Sequence, residues 1–255
     1  MGGCRLTRVQ VCPPRLRAWS TALSLSRVVE VEAIGKHLLI HLDGGLSIHS
    51  HLMMWGRWEV VPQGAPFRKA TGRLWLSLET GRHVAALFNG PVLEVLTREH
   101  LPQHPVLTKL GPDPLRADYR REEARARLTD PRRARTPLAH VLLDQEWVCG
   151  VGNIYKSEIL WHARLSPLQP PGDLTPSEVE RLLDCTERVL RVAYRQRFGT
   201  LPRRVWRTLG PFAVYRRTGQ PCLRCGARIA RLDTGRATYW CPSCQSPVRV
   251  AGHGP

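Results

Sequence analysis

The sequence predicts a multidomain α+β chain, and three observations carry that prediction. Short alternating segments fill residues 1–104, helix-forming segments fill most of 119–196, and four C-terminal cysteines have the spacing of a metal-pinned hairpin. At 255 residues the chain is long enough for two domains, or for one domain with an appendage. A hydrophobic content of 42% is compatible with full cores.

The strands come first. Residues 6–12 (LTRVQVC) alternate apolar and polar side chains. Residues 27–52 contain two alternating runs joined by Asp43-Gly44-Gly45, a hairpin turn. GRWEVV, RLWLSLET and RHVAALFNG continue the pattern, each bounded by Gly, Pro or Asn, and residues 93–100 read as a last short strand. Strands this short and closely spaced make a β-sandwich or barrel. Residues 105–118 (PVLTKLGPDPLRAD) are a proline-rich connector and a domain boundary.

Helices follow. Asp118 is placed to cap a helix in DYRREEARARLTD, and TPLAHVLLDQEWVCG opens another with Thr and Pro. Gly150-Val151-Gly152-Asn153 breaks the pattern before NIYKSEILWHAR, and Thr175-Pro176-Ser177-Glu178 opens a long amphipathic helix. Residues 197–211 form a basic loop of no evident regular structure, and residues 248–255 read as a loose tail.

Cys222, Cys225, Cys241 and Cys244 form two C-x2-C turns separated by fifteen residues. Each turn presents two sulfurs, and together they make a four-thiolate site for structural Zn2+. The intervening RIARLDTGRATYW reads as two strands with Asp233-Thr234-Gly235-Arg236 at the turn. A short hairpin is marginal alone, so the metal would supply much of its folding free energy. Two disulfides or one redox pair are the competing arrangements.

The formal net charge is +17, which points to a polyanion, nucleic acid first. Only four basic residues are lysines (36, 69, 109 and 156), and the arginine bias weakens any reading of a single arginine. The remaining cysteines, 4, 12, 149 and 185, are scattered and read as reduced thiols of an intracellular protein. No apolar run reaches membrane-spanning length and no signal-peptide pattern opens the chain.

Residues 148–161 (VCGVGNIYKSEILW) carry a second signal. Glycines allow close backbone approach to a phosphate, and a helix N-terminus offers free N–H donors. Asn153 can cap that helix and bond a phosphate, and Lys156 lies one turn on. A plain turn between two packed helices gives the same pattern.

Together, AIGKHLLIHL, SIHSHLMMWGRWEV, HPVLTKLGPDPL, LLDQEWVCGVGNIYKSEILW and PCLRCGARIARLDTGRATYWCPSCQ resemble the formamidopyrimidine-DNA glycosylase and endonuclease VIII family of base-excision repair enzymes. The segments run in the family's order, and their flavour is closer to endonuclease VIII. The resemblance implies an N-terminal β-sandwich (1–104), a linker (105–118), a helix–two-turns–helix domain (119–211) and a zinc-finger hairpin (212–248), with DNA in the cleft between. It implies a monomer in the bacterial cytoplasm, at the nucleoid, acting on oxidised bases in damaged double-stranded DNA. An amine displaces the base, forms an imine, and elimination cuts the strand.

By the same resemblance Lys36, in the IGK turn, reaches the lesion's sugar-phosphate as a catalytic residue. Asn153 grips a phosphate, with Lys156 beside it, and Arg236 clamps the phosphate next to the lesion. Met53, Met54 and Trp55 fill the gap left by the everted nucleotide, Met54 most directly. Without the resemblance, these three would read as core beside a strand.

The family's nucleophile is an N-terminal proline amine, with an adjacent glutamate. This sequence opens Met1-Gly2-Gly3-Cys4 instead, and the long helix that follows in the family is not evident either. One expectation is that the natural start lies upstream. The other is a member that binds damaged DNA without cleaving it, or that uses the Gly2 amine or Lys36. On either, the polypeptide as written has weak or no lyase activity. A zinc-ribbon module of transcription or translation is the alternative from another class, and it would bind intact duplex or RNA.

Overall fold

The computed structural model describes residues 3–24, 26–67, 73–197 and 212–246, with backbone only at Arg197 and Thr234. The basic stretch expected at 197–211 and the tail at 248–255 therefore lie almost wholly outside the described residues. The chain divides into unit 1, Met1–Thr108, and unit 2, Lys109–Pro255. The division falls inside the proline-rich connector.

Unit 1 is two antiparallel four-stranded sheets. One runs β1 (Arg8–Val11), β6 (Leu74–Glu79), β7 (His83–Phe88), β5 (Arg57–Pro62); the other runs β2 (Val28–Ile34), β3 (His37–Leu42), β4 (Leu46–His51), β8 (Val92–Thr97). Two open sheets decide for a sandwich over a barrel. Leu76, Leu78, Ala85 and Leu87 of the first sheet and Ile40, Leu42, Ile48 and Leu93 of the second share one core. Between β1 and β2 lies a feature that the sequence reading left unassigned: a 3-10 turn (Pro14–Trp19) running into a one-turn helix, α1 (Ser20–Leu23). Leu16 and Leu23 are its buried residues, and both belong to the sandwich core. β2 is an edge strand, and Glu30 and Glu32 along it discourage pairing with another chain.

Unit 2 starts with α2 (Arg121–Leu128). Asp118 does not cap it. The N-cap position is Arg120, and Asp118 instead accepts from Arg116 Nε at 2.9 Å. TPLAHVLLDQEWVCG yields only one helical turn, α3 (Leu138–Val141), with Pro137 rather than Thr136 at its N-cap, and turns follow it as far as Gly150. α4 (Asn153–Ala163) and α5 (Pro176–Arg197) pack side by side over the helical core. At the start of α5 the reciprocal cap is present. Glu178 N donates to Thr175 Oγ1 at 3.3 Å, and Thr175 N donates to Glu178 Oε2 at 2.9 Å.

β9 (Ala230–Thr234) and β10 (Arg236–Trp240) form the C-terminal hairpin. Thr234 and Arg236 are paired strand residues, so Gly235 alone lies between the strands, at φ +79°. The hairpin is not an independent body. Trp161 of α4 sits in one apolar cluster with Val214, Cys222, Ile229 and Cys241.

Candidate metal centre and nucleic-acid interface

The sulfurs of Cys222, Cys225, Cys241 and Cys244 lie within 4.8 Å of one another. Cys222 and Cys244 are 4.0 Å apart, and Cys225 and Cys241 are 3.5 Å apart. Zn–S bonds of about 2.3 Å in a tetrahedron put sulfurs ~3.8 Å apart, so the donor set and its spacing fit Zn2+. The surroundings favour a thiolate at Cys222, whereas burial and the neighbouring cysteines push the Cys241 and Cys244 thiols up. Burial opposes ionisation of Cys222, but the backbone N–H of Arg224 and the indole N–H of Trp161, both 3.4 Å away, hold its thiol down to about 6. Cys244 N donates to Cys241 Sγ at 3.5 Å.

α4 holds the hairpin from the side. Asn153 is its first helical residue and Gly152 its N-cap, with Gly150 at φ +95° turning the chain into it. Asn153 Nδ2 donates to the Ala237 carbonyl at 3.1 Å, and its Oδ1 is buried without a partner. Lys156 is fully buried, and its ammonium donates to Thr238 Oγ1 at 2.7 Å and to the Arg236 carbonyl at 3.4 Å. What is described of Lys156 is thus a contact to the hairpin, not an open side chain one turn along a phosphate site. Arg236 itself is exposed at the tip.

Glu158 is a site residue that sequence reasoning missed. It is 6% exposed, and its carboxylate accepts the N–H groups of Ala213, Val214 and Tyr215 at 2.8, 3.0 and 2.9 Å. It thereby ties the segment leading into the zinc finger to α4. A carboxylate in the middle of an otherwise apolar helix face was the available signal.

In unit 1, Lys36 is exposed in the Gly35-Lys36 turn between β2 and β3. Met53, Met54 and Trp55 are 60%, 74% and 82% exposed, so they are not core. Met53 carries φ +48°, a strained conformation for a side chain of its size, and its N–H donates to His51 Nδ1 at 3.0 Å. An exposed apolar loop of this kind is suited to contact with another molecule.

The same unit holds a histidine cluster that the sequence reading did not single out. His37, His49 and Glu94 lie on the sheet face away from the core, because strand residues two apart share a face. His104 folds back over them, and His49 is 1% exposed. His104 Nδ1 accepts the N–H groups of Val106 and Leu107 at 3.2 and 3.1 Å, so its proton sits on Nε2, which donates to Glu94 Oε2 at 3.0 Å. Glu94 also accepts from His49 Nδ1 at 2.7 Å, and His49 Nε2 is 2.9 Å from His37 Nδ1. Burial alone would raise the Glu94 pKa, but these donors hold it low. Burial, reinforced by the charges of neighbouring histidines and Lys36, pushes His37 down to about 4. His49, Glu94 and His104 approach closely enough to hold a metal. A metal-bound histidine donates from its other nitrogen, however, and His104 accepts there, so the cluster is read as a hydrogen-bonded staple. The pair His49-x-His51, with His37 on the preceding strand, was its trace in the sequence.

Of the amine candidates, Gly2 lies outside the described residues. Among the described residues, no helix is long and apolar enough to cross a membrane.

Comparison with known proteins covers the whole arrangement. Residues 1–91 match the formamidopyrimidine-DNA glycosylase N-terminal domain, 110–203 the formamidopyrimidine-DNA glycosylase H2TH domain, and 219–247 a zinc finger found in FPG and IleRS. Endonuclease 8 of an Escherichia coli strain is 34% identical over 95% of this chain and 92% of its own length. Endonuclease 8 of Klebsiella pneumoniae is 33% identical over 94% and 91%. A crystal structure of Lactococcus lactis formamidopyrimidine-DNA glycosylase, bound non-covalently to DNA containing an abasic site, superposes with a TM-score of 0.80. That chain is 24% identical, with 96% of this chain and 94% of that one covered.

Proposed function

Because the chain belongs to the formamidopyrimidine-DNA glycosylase and endonuclease VIII family, we propose that it is a base-excision DNA glycosylase with abasic-site lyase activity. It removes oxidised bases and binds damaged duplex DNA. The observation that carries this reading is the agreement of three family regions in order with a zinc finger mounted on the start of α4.

Within that reading each described residue has a task. Zn2+ held by Cys222, Cys225, Cys241 and Cys244 is structural and stiffens the hairpin. Arg236 at its tip and Asn153 at the start of α4 bind backbone phosphates by charge-assisted and amide hydrogen bonds. Lys36 meets the sugar-phosphate at the lesion. Met53, Met54 and Trp55 occupy the space of the everted nucleotide and replace its stacking with apolar contact. The reading places the protein in the bacterial cytoplasm, in association with the nucleoid, acting as a monomer.

Two measurements test it. Duplex carrying a stable abasic analogue should bind at least about tenfold tighter than intact duplex, with affinity falling steeply as salt rises. Borohydride trapping on an abasic-site duplex tests the lyase step: an adduct at ordinary efficiency overturns the expectation of weak or no lyase activity, and mass spectrometry of that adduct identifies the attacking amine. Equal binding of intact and abasic duplex, with no adduct, overturns the proposal.

A further inference from the structure

Lys156 has no task in the binding scheme above, yet it is among the most deeply buried large side chains of the chain. Its two acceptors, Thr238 Oγ1 and the Arg236 carbonyl, are neutral. Its neighbours on α4 reach the same strand. Asn153 Nδ2 donates to the Ala237 carbonyl, and Ser157 Oγ accepts from Tyr239 N at 3.3 Å. Little more than one turn of α4 therefore touches four successive residues of β10, starting with the one that carries the tip arginine.

The metal cannot do this alone. Cys241 follows the last residue of β10, and Arg236 is the first. Five residues of extended chain put the tip roughly 17 Å from the zinc end. A two-stranded ribbon pinned only at its base is free to pivot there. The contact to α4 removes that freedom.

A buried ammonium facing neutral acceptors is poorly compensated. Burial, and after it the charge of Arg236, bring the Lys156 pKa down to about 8. Charged groups on α4 and on the elements around it are engaged elsewhere; on β9, Arg231 donates to Asp233 at 2.8 Å. Glu158 of α4 accepts the three N–H groups of 213–215, while Arg181 and Arg188 of α5 donate to the Ala163 carbonyl and to Cys185 Sγ.

We propose that Lys156 is a positioning residue that locks the arginine-bearing hairpin tip onto α4 and links duplex binding to the uptake of a proton. The proposal rests on the DNA-binding reading above. A phosphate arriving at Arg236 offsets the guanidinium charge and places negative charge near Lys156, which favours the ammonium form. Linkage then fixes the sign. Lys156 is already charged at pH 7, so affinity is full there and declines as pH rises through about 8. Protons are taken up on binding in that upper range.

The test uses the zinc-loaded full chain and a duplex with a tetrahydrofuran abasic analogue, with the intact duplex alongside. Calorimetry at pH 8 in two buffers of different ionisation enthalpy should show uptake of about half a proton by the wild type. Lys156→Met should take up none and bind about tenfold more weakly at pH 7 with its zinc retained. Binding within about twofold of wild type, or unchanged proton uptake in Lys156→Met, overturns the proposal. Should that variant not fold, Thr238→Val removes one acceptor and keeps the ammonium; it should weaken binding to a smaller degree and still take up a proton. The chain has only four lysines, so carbon NMR of the lysine ε position resolves them singly. One should titrate near 8, and titration of all four near the ordinary lysine value overturns the proposal. If the wild type shows no preference for the abasic duplex, the repair reading falls. The lysine titration and proton uptake on intact duplex still decide the role of Lys156.

Discussion

The two units gather their polar groups by different means. In unit 1, His37, His49 and Glu94 come together because strand register stacks them on one sheet face, and His104 joins from the segment that folds over it. In unit 2, Asn153, Lys156, Ser157 and Glu158 are near neighbours on one helix, and each reaches a fixed partner in the zinc finger or its approach. The first assembly depends on every strand holding its register. The second depends on one helix and one metal. The comparison teaches that the C-terminal grip should fail all at once, whereas the N-terminal cluster should loosen gradually.

Zinc removal probes the difference hardest. Cys241→Ser, or a chelator, should abolish abasic-duplex binding by about a hundredfold or more, since structural zinc contributes ~10 kcal/mol or more to such folds. Unfolding of unit 1, followed by its tryptophans, should be unchanged; a matching loss there would erase the distinction.

Glu158→Gln comes next. An amide offers one acceptor where the carboxylate serves three N–H groups, and it adds donors facing donors. Urea denaturation should show a loss of about 2–4 kcal/mol, confined to the transition of unit 2.

At the tip, Arg236→Ala should weaken abasic-duplex binding about tenfold in salt-matched titrations. Arg8→Ala, an exposed arginine 3.9 Å from Glu79, is the control and should stay within about twofold. Equal effects would reduce Arg236 to general charge.

Acid should act on unit 1. His37, His49 and His51 are held neutral, all three mainly by burial. Their folded pKa values lie below the unfolded value of about 6.5, so the unfolded chain binds protons first as pH falls. Their contribution is whole above pH 6.5 and is lost as pH falls towards about 4. A melting temperature for unit 1 that is flat from pH 7 to 5 would count against the neutral cluster.

The smallest effect belongs to the exposed loop. Met54→Ala should reduce affinity for abasic duplex only about threefold, because it removes one apolar contact of ~0.7 kcal/mol. It should leave stability untouched, given its exposure of 74%.

Legibility followed the same division. The C-x2-C pairs, the break at Gly150 to Gly152 and the Thr175–Glu178 cap are local patterns, and each stands in the structure where its spacing put it. Asn153, however, is the first residue of its helix and not the cap, because Gly152 takes that position. Asp118 failed as a cap because its side chain met Arg116 first, a competition of two near neighbours that a cap rule does not weigh. The short helix at 14–23 was hidden by Pro13-Pro14 and by a length too small to show a helical period.

By itself the sequence determined the strands, the long helices, the four-thiolate site and the family, because each is written in spacings of a few residues. Only the tertiary structure decided that Lys156 is buried against β10, that Glu158 holds residues 213–215, and that His104 closes over His49 and Glu94. Those contacts join residues ten to eighty positions apart, and a side chain's partner at that range is set by packing, which no local pattern encodes.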